Sequence, residues 1–198
     1  MNVVLYVHGK GGNAKEAERY KPLFPDCDVV GLEYRGQTEF LAGREISATV
    51  NRLRERYEEI VLVANSIGAY YSMRAGIDKR IEKAFFISPI VDMEKLIGRL
   101  MAAENVTERE LQEKGRIPTK FGEPLVWEYL VHVREHPIEW NVLTHVLYGE
   151  KDELTDENTI RAFVNAHDAT LTVMKGGEHW FHTAEQMKFL DDWIKKYQ

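Results

Sequence analysis

The chain has 198 residues, 44% of them hydrophobic and 29% charged, a size and composition suited to one compact soluble domain. A domain this long buries about 70% of its unfolded surface, so it needs no disulfide or metal staple. The 26 basic against 32 acidic residues leave a net charge of −6, which argues against nucleic acid or an anionic membrane as partner, because both favour a concentrated basic face. Cys27 is the only cysteine, so an intrachain disulfide is excluded and nothing points to an oxidising compartment. The apolar start, Met1 to Val7, lacks a basic lead and is too short for a signal peptide or a membrane span. A cytoplasmic location with no membrane partner is therefore the expectation.

Strands and helices alternate from the first residue, the pattern of a mostly parallel sheet with helices on both faces. Val3 to Val7 is a β-rich run that ends in a glycine loop, and Asn13 can cap a helix to about Tyr20, with Pro22 and Pro25 breaking the chain. Val29 to Leu32 reads as the next strand. A longer helix follows, with Phe40, Leu41, Ile46, Val50, Leu53 and Tyr57 near helical spacing; Arg52, Arg54 and Arg56 form its solvated side. Ile60 to Ala64 is a third strand with the helix Ile67 to Arg74 directly behind it, and Ala84 to Ile87 a fourth, closed by Pro89. From about residue 91 to 137 the pattern shows helical stretches and no clear strand, an insertion too long for a plain loop. Alternation resumes with a strand at Val142–Tyr148, a helix at Glu157–Ala166, a strand at Thr170–Met174 and a closing helix at Ala184–Lys196. The expectation is a single domain over 1–198 with a small helical insertion at about 91–137.

Four strand ends carry chemistry. In Ala64-Asn65-Ser66-Ile67-Gly68 a strand meets a helix with serine at the corner, and small residues stand two places either side of it. This resembles the nucleophile elbow G-x-S-x-G of the α/β-hydrolases, with Ala64 in place of the first glycine. The run His8-Gly9-Lys10-Gly11-Gly12 looks like the same superfamily's oxyanion loop. A strand ending in Gly149-x-x-Asp152 resembles the site of its triad acid, and Gly176-Gly177-Glu178-His179 the site of its histidine, in the superfamily's order Ser66, Asp152, His179. The resemblance implies a reduced α/β-hydrolase fold of about six strands. It implies Ser66 as nucleophile, His179 as base, Asp152 orienting that base, and the backbone N–H groups of Lys10 and Ile67 as oxyanion donors. His8 would brace its loop. It also implies a small-molecule acyl substrate, cleaved as by a carboxylesterase, with no cofactor and no metal; thioesters, amides and lactones suit the same residues. Trp127, Tyr129 and Trp180 are candidates for substrate contact, and Phe121, Trp140 and Phe181 could join them in an aromatic lid, although aromatics at such spacing also build cores.

Other readings stand beside this one. Ser66 could merely cap its helix. Asp92 and Asp156 compete with Asp152, and His182 with His179. Glu178, His179 and His182 fall short of a complete metal motif. Gly9-x-Gly11-x-x-Ala14 fits the Rossmann fingerprint of NAD(P)-binding oxidoreductases, with Glu33 near the place of a ribose-binding acid. A catalytically silent binding protein on the hydrolase scaffold is a further alternative.

Overall fold

The computed structural model describes residues 1–198. Its elements in chain order are strand β1 (Asn2–Val7), a 3₁₀ helix (Ala14–Leu23), β2 (Cys27–Leu32), α1 (Glu39–Arg54), β3 (Glu59–Asn65), α2 (Ile67–Arg74), a single 3₁₀ turn (Asp78–Arg80), β4 (Lys83–Ile87), α3 (Met93–Ala103), α4 (Glu108–Lys114), the two-residue strands β5 (Arg116–Ile117) and β6 (Leu125–Val126), α5 (Trp127–Glu135), β7 (Thr144–Gly149), α6 (Glu157–Ala166), β8 (Ala169–Met174) and α7 (Ala184–Tyr197). Six strands form one sheet in the order β2-β1-β3-β4-β7-β8, parallel throughout. The architecture is that of the α/β-hydrolases with a reduced sheet.

Contacts group the chain into two units, Met1–Val91 with Glu139–Gln198, and Asp92–Ile138. In the first, β1 is buried from Val3 to Val7 because helices cover both faces of a parallel sheet. The chain leaves β1 toward β2 on one side and returns past it to β3 on the other. With right-handed crossovers that reversal sends the 3₁₀ helix to one face and α1, α2 and α6 to the opposite face. Accordingly Tyr20 and Leu23 of the 3₁₀ helix and Leu190, Trp193 and Ile194 of α7 share one core with Val4, Tyr6, Val63, Phe85 and Leu147 of the strands. The reversal also opens a crevice beyond the carboxyl ends of β1 and β3, the usual ligand position in such sheets.

In the second unit, Arg134 of α5 reaches Glu94 of α3 at 2.6 Å and Glu108 of α4 at 2.7 Å, so one guanidinium ties three helices. Ile97, Leu111, Leu125 and Leu130 are buried. The antiparallel pair β5–β6 lies where the sequence pattern shows no strand, because two residues are too few to display alternation.

Two local expectations change. The segment after Asn13 is 3₁₀ rather than α-helical and runs on to Leu23, with Pro22 inside it. Phe40 and Leu41 at the start of α1 are half exposed, while Glu39 beside them is buried against the Tyr70 hydroxyl (2.8 Å) and Arg74 (3.2 Å). Helical spacing holds for the whole helix: Glu39, Ala42, Gly43, Ile46, Thr49 and Val50 form one buried stripe, and Phe40 and Leu41 lie off it.

The 3₁₀ helix lies so close to β2 that a Cβ on Gly31 would stand 2.0 Å from the Ala14 carbonyl oxygen. Gly31→Ala should therefore force the two elements apart and lower stability by about 2–3 kcal/mol, read as a shifted urea midpoint with little change in slope.

Candidate active site

The register of the sheet sets the site. Val7 of β1 pairs with Ala64 of β3, so the Gly9 loop and Ser66 emerge side by side. Ser66 holds φ 52° and ψ −121°, a conformation costly for a residue with a Cβ, on the order of 1–3 kcal/mol. What holds it there is the strand end around it. Its N–H donates to the Ile87 carbonyl at 3.0 Å, and its own carbonyl accepts from Ile90 at 3.1 Å and Ala69 at 3.2 Å. Gly68 completes the elbow: a Cβ there would lie 2.4 Å from the His8 carbonyl oxygen and 2.8 Å from that of Val7. The serine side chain makes no capping hydrogen bond to α2, so the helix-cap reading of Ser66 fails.

Instead Ser66 Oγ lies 2.8 Å from His179 Nε2, and His179 Nδ1 lies 2.7 Å from Asp152 Oδ2. The other carboxylate oxygen of Asp152 accepts from the Leu154 and Thr155 amides at 2.8 and 3.1 Å, and the side chain is fully buried. A carboxylate oxygen facing Nδ1 favours the tautomer that carries its N–H there, which turns the lone pair of Nε2 toward Ser66 Oγ. The loops carrying these two residues touch through glycine. A Cβ on Gly149 would stand 2.5 Å from the Glu178 carbonyl oxygen and 2.6 Å from Gly177, and Lys151 donates to the Gly177 carbonyl at 2.7 Å.

The Gly9 loop is set by its first peptide. The Gly9 carbonyl accepts from His8 Nδ1 at 2.8 Å and from the Gly12 amide at 3.1 Å. No peptide bond in the chain is cis, so the Lys10 N–H is turned the opposite way from that carbonyl. His8 is buried, stacks on Tyr34 at 4.2 Å, and has its carbonyl bonded by the Tyr34 hydroxyl at 2.9 Å. Ile67, whose N–H is the sequence's second oxyanion candidate, is the first residue of α2.

These parts border a recess of about 410 Å³ lined by Gly9, Lys10, Gly11, Gly12, Glu16, Asn65, Ser66, Leu154, His179 and Trp180. Trp180 is 69% exposed at its rim, whereas Trp140 and Phe181 are core residues. Trp127 and Tyr129 belong to α5 of the second unit. Sequence reasoning did not single out Glu16, Asn65 or Leu154 as site residues; only Glu16 left a signal, as the acid three places after the cap Asn13.

The competing residues have other work. Asp92 caps α3 through the Lys95 amide and Asp156 caps α6 through that of Thr159. His182 is exposed, with Nδ1 2.7 Å from the Trp180 carbonyl. Glu33 accepts from the Ala14 amide at 2.8 Å, which fills the helix start that a dinucleotide phosphate would need; that removes the main support of the Rossmann reading.

The fold is that of the α/β-hydrolases. The chain belongs to the family described as Uncharacterised protein family (UPF0227), whose model matches residues 4–191. Among solved structures it is similar to Est1E from Butyrivibrio proteoclasticus, determined with ferulic acid bound, at 15% identity and a TM-score of 0.76 over 100% of this chain and 88% of that one. It is also similar to alpha/beta hydrolase domain-containing protein 10 from mouse, at 16% identity and a TM-score of 0.73 over 98% and 88% of the two chains. An alpha-beta serine hydrolase homologue from Coxiella burnetii aligns at 15% identity and a TM-score of 0.63 over 99% and 84%. No curated protein matches the chain. No helix is long and apolar enough to cross a membrane.

Gly68→Ala should break the elbow, since neither carbonyl it would strike can move without dislodging β1. The expected result is a loss of about 2–3 kcal/mol in urea unfolding, together with a chemical-shift change of the His179 ring in NMR.

Proposed function

We propose that the protein is a serine hydrolase that cleaves a small acyl ester through an acyl-enzyme. The observation that carries this reading is the unbroken chain Ser66 Oγ–His179 Nε2–His179 Nδ1–Asp152 Oδ2, with links of 2.8 and 2.7 Å. A free serine hydroxyl is a weak nucleophile, and here an imidazole with its bare nitrogen turned to Oγ can take the proton as the C–O bond forms. Asp152 fixes the tautomer and stabilises the imidazolium without itself being protonated.

The negative charge moves to the former carbonyl oxygen. The Lys10 and Ile67 N–H groups are the donors to it in this reading, each worth about 3–4 kcal/mol of barrier. Collapse of the tetrahedral state breaks the bond to the alcohol, which leaves with the proton from His179. Water then attacks the acyl-enzyme by the same route, giving up its proton to His179 and releasing the acid and free Ser66. No step requires a metal or an organic cofactor. Leu154 and Trp180 give the recess an apolar rim suited to an ester's hydrocarbon part.

The test is direct. Ser66→Ala should abolish turnover of p-nitrophenyl butyrate, and a fluorophosphonate should leave its adduct on Ser66, located by mass spectrometry of the digest. Retention of most activity in Ser66→Ala, or an adduct elsewhere, would reject the assignment.

A further inference from the structure

Glu16 is a carboxylate in a recess where the proposed reaction develops a second negative charge, and the mechanism gives it no part. Its position is not incidental. Oε1 accepts from the Asn13 amide at 3.2 Å, as in a capping box, but Oε2 accepts from the Tyr6 hydroxyl at 2.5 Å. Tyr6 is buried in the central strand β1, and the Asn65 side chain, next to Ser66, interacts with the same hydroxyl. Burial first, then Tyr20 and the Glu16 carboxylate, push the Tyr6 phenol far above its ordinary range, so it remains a neutral donor. Gly12 supplies the room: a Cβ there would lie 2.8 and 3.1 Å from the two Glu16 oxygens. The carboxylate is thus pressed against the glycine loop with lone pairs left for a further partner.

A fixed anion beside a developing oxyanion raises the barrier unless a positive charge on the substrate offsets it. Lys10 also lines the recess, but it is exposed to solvent, where water screens its charge. The recess has a second feature suited to a cation, the exposed Trp180 indole, which stacks on His182 at 4.6 Å. An aromatic surface and a carboxylate in one pocket is the chemistry that recognises an ammonium group.

We propose that Glu16 and Trp180 form a cation subsite, and that the substrates are acyl esters bearing an ammonium group on the acyl or the alcohol part. This rests on the reading of Ser66 as nucleophile. Two isosteric ester pairs test it: choline butyrate against 3,3-dimethylbutyl butyrate, and ethyl 4-(trimethylammonio)butanoate against ethyl 5,5-dimethylhexanoate. In at least one pair the charged ester should have a kcat/KM about fivefold above its neutral twin. Glu16→Gln should bring that ratio to about one, because glutamine serves a capping box as glutamate does while removing the charge. Trp180→Leu should lower the ratio part of the way.

Ratios near one in the wild-type protein, or a ratio that survives Glu16→Gln, overturn the subsite and leave the hydrolase reading standing. If no ester is cleaved, the hydrolase reading fails, and calorimetric titration with choline decides the subsite by itself. Binding weakened by Glu16→Gln upholds it; no binding, or binding indifferent to residue 16, overturns it.

Discussion

The constraint on which the rest depends is how closely backbone meets backbone at the carboxyl end of the sheet. Gly68 lets α2 rest on the carbonyls of Val7 and His8, and Gly149 lets the loop after β7 rest on Gly177 and Glu178. Each contact is closer than any side chain would permit. Widen either by the breadth of a methyl group and a bond of 2.7–2.8 Å in the Ser66–His179–Asp152 chain is lost, since hydrogen bonds fade within a few tenths of an ångström. The parallel sheet makes this possible by bringing four strand ends to one edge in fixed register.

Electrostatics divides the site into two parts. Asp152 is fully buried, and its two carboxylate oxygens are met by backbone amides and by His179. Glu16 is only partly buried and only partly satisfied, held from below by a buried tyrosine and open on the recess side. The two acids have the same chemistry and different surroundings. One is committed to the protein, and the other is available to whatever enters.

Much of the fold could be read in advance because burial on both faces writes itself into composition. Val3–Val7, Ile60–Ala64 and Ala84–Ile87 are continuous apolar runs, and a soluble chain keeps such runs only in a covered sheet. At the start of α1 residue polarity misled where spacing did not. Glu39 is buried by its bonds to Tyr70 and Arg74, on the same helical stripe as Ala42, Gly43 and Ile46, which leaves Phe40 and Leu41 outside it. The strands β5 and β6 were invisible because two residues have no period.

The amino-acid sequence alone determined the sheet architecture, the four chemical strand ends and their order along the chain, because small residues at a tight turn and glycine at a crowded approach are local requirements. The tertiary structure alone decided which acid faces His179, that Ser66 does not cap its helix, that Glu33 closes the start of the 3₁₀ helix, and that Glu16 joins the recess. Each of these is a matter of distance between segments far apart in the chain. Distance of that kind is set by how strands register and layers pack, which no single stretch of residues encodes.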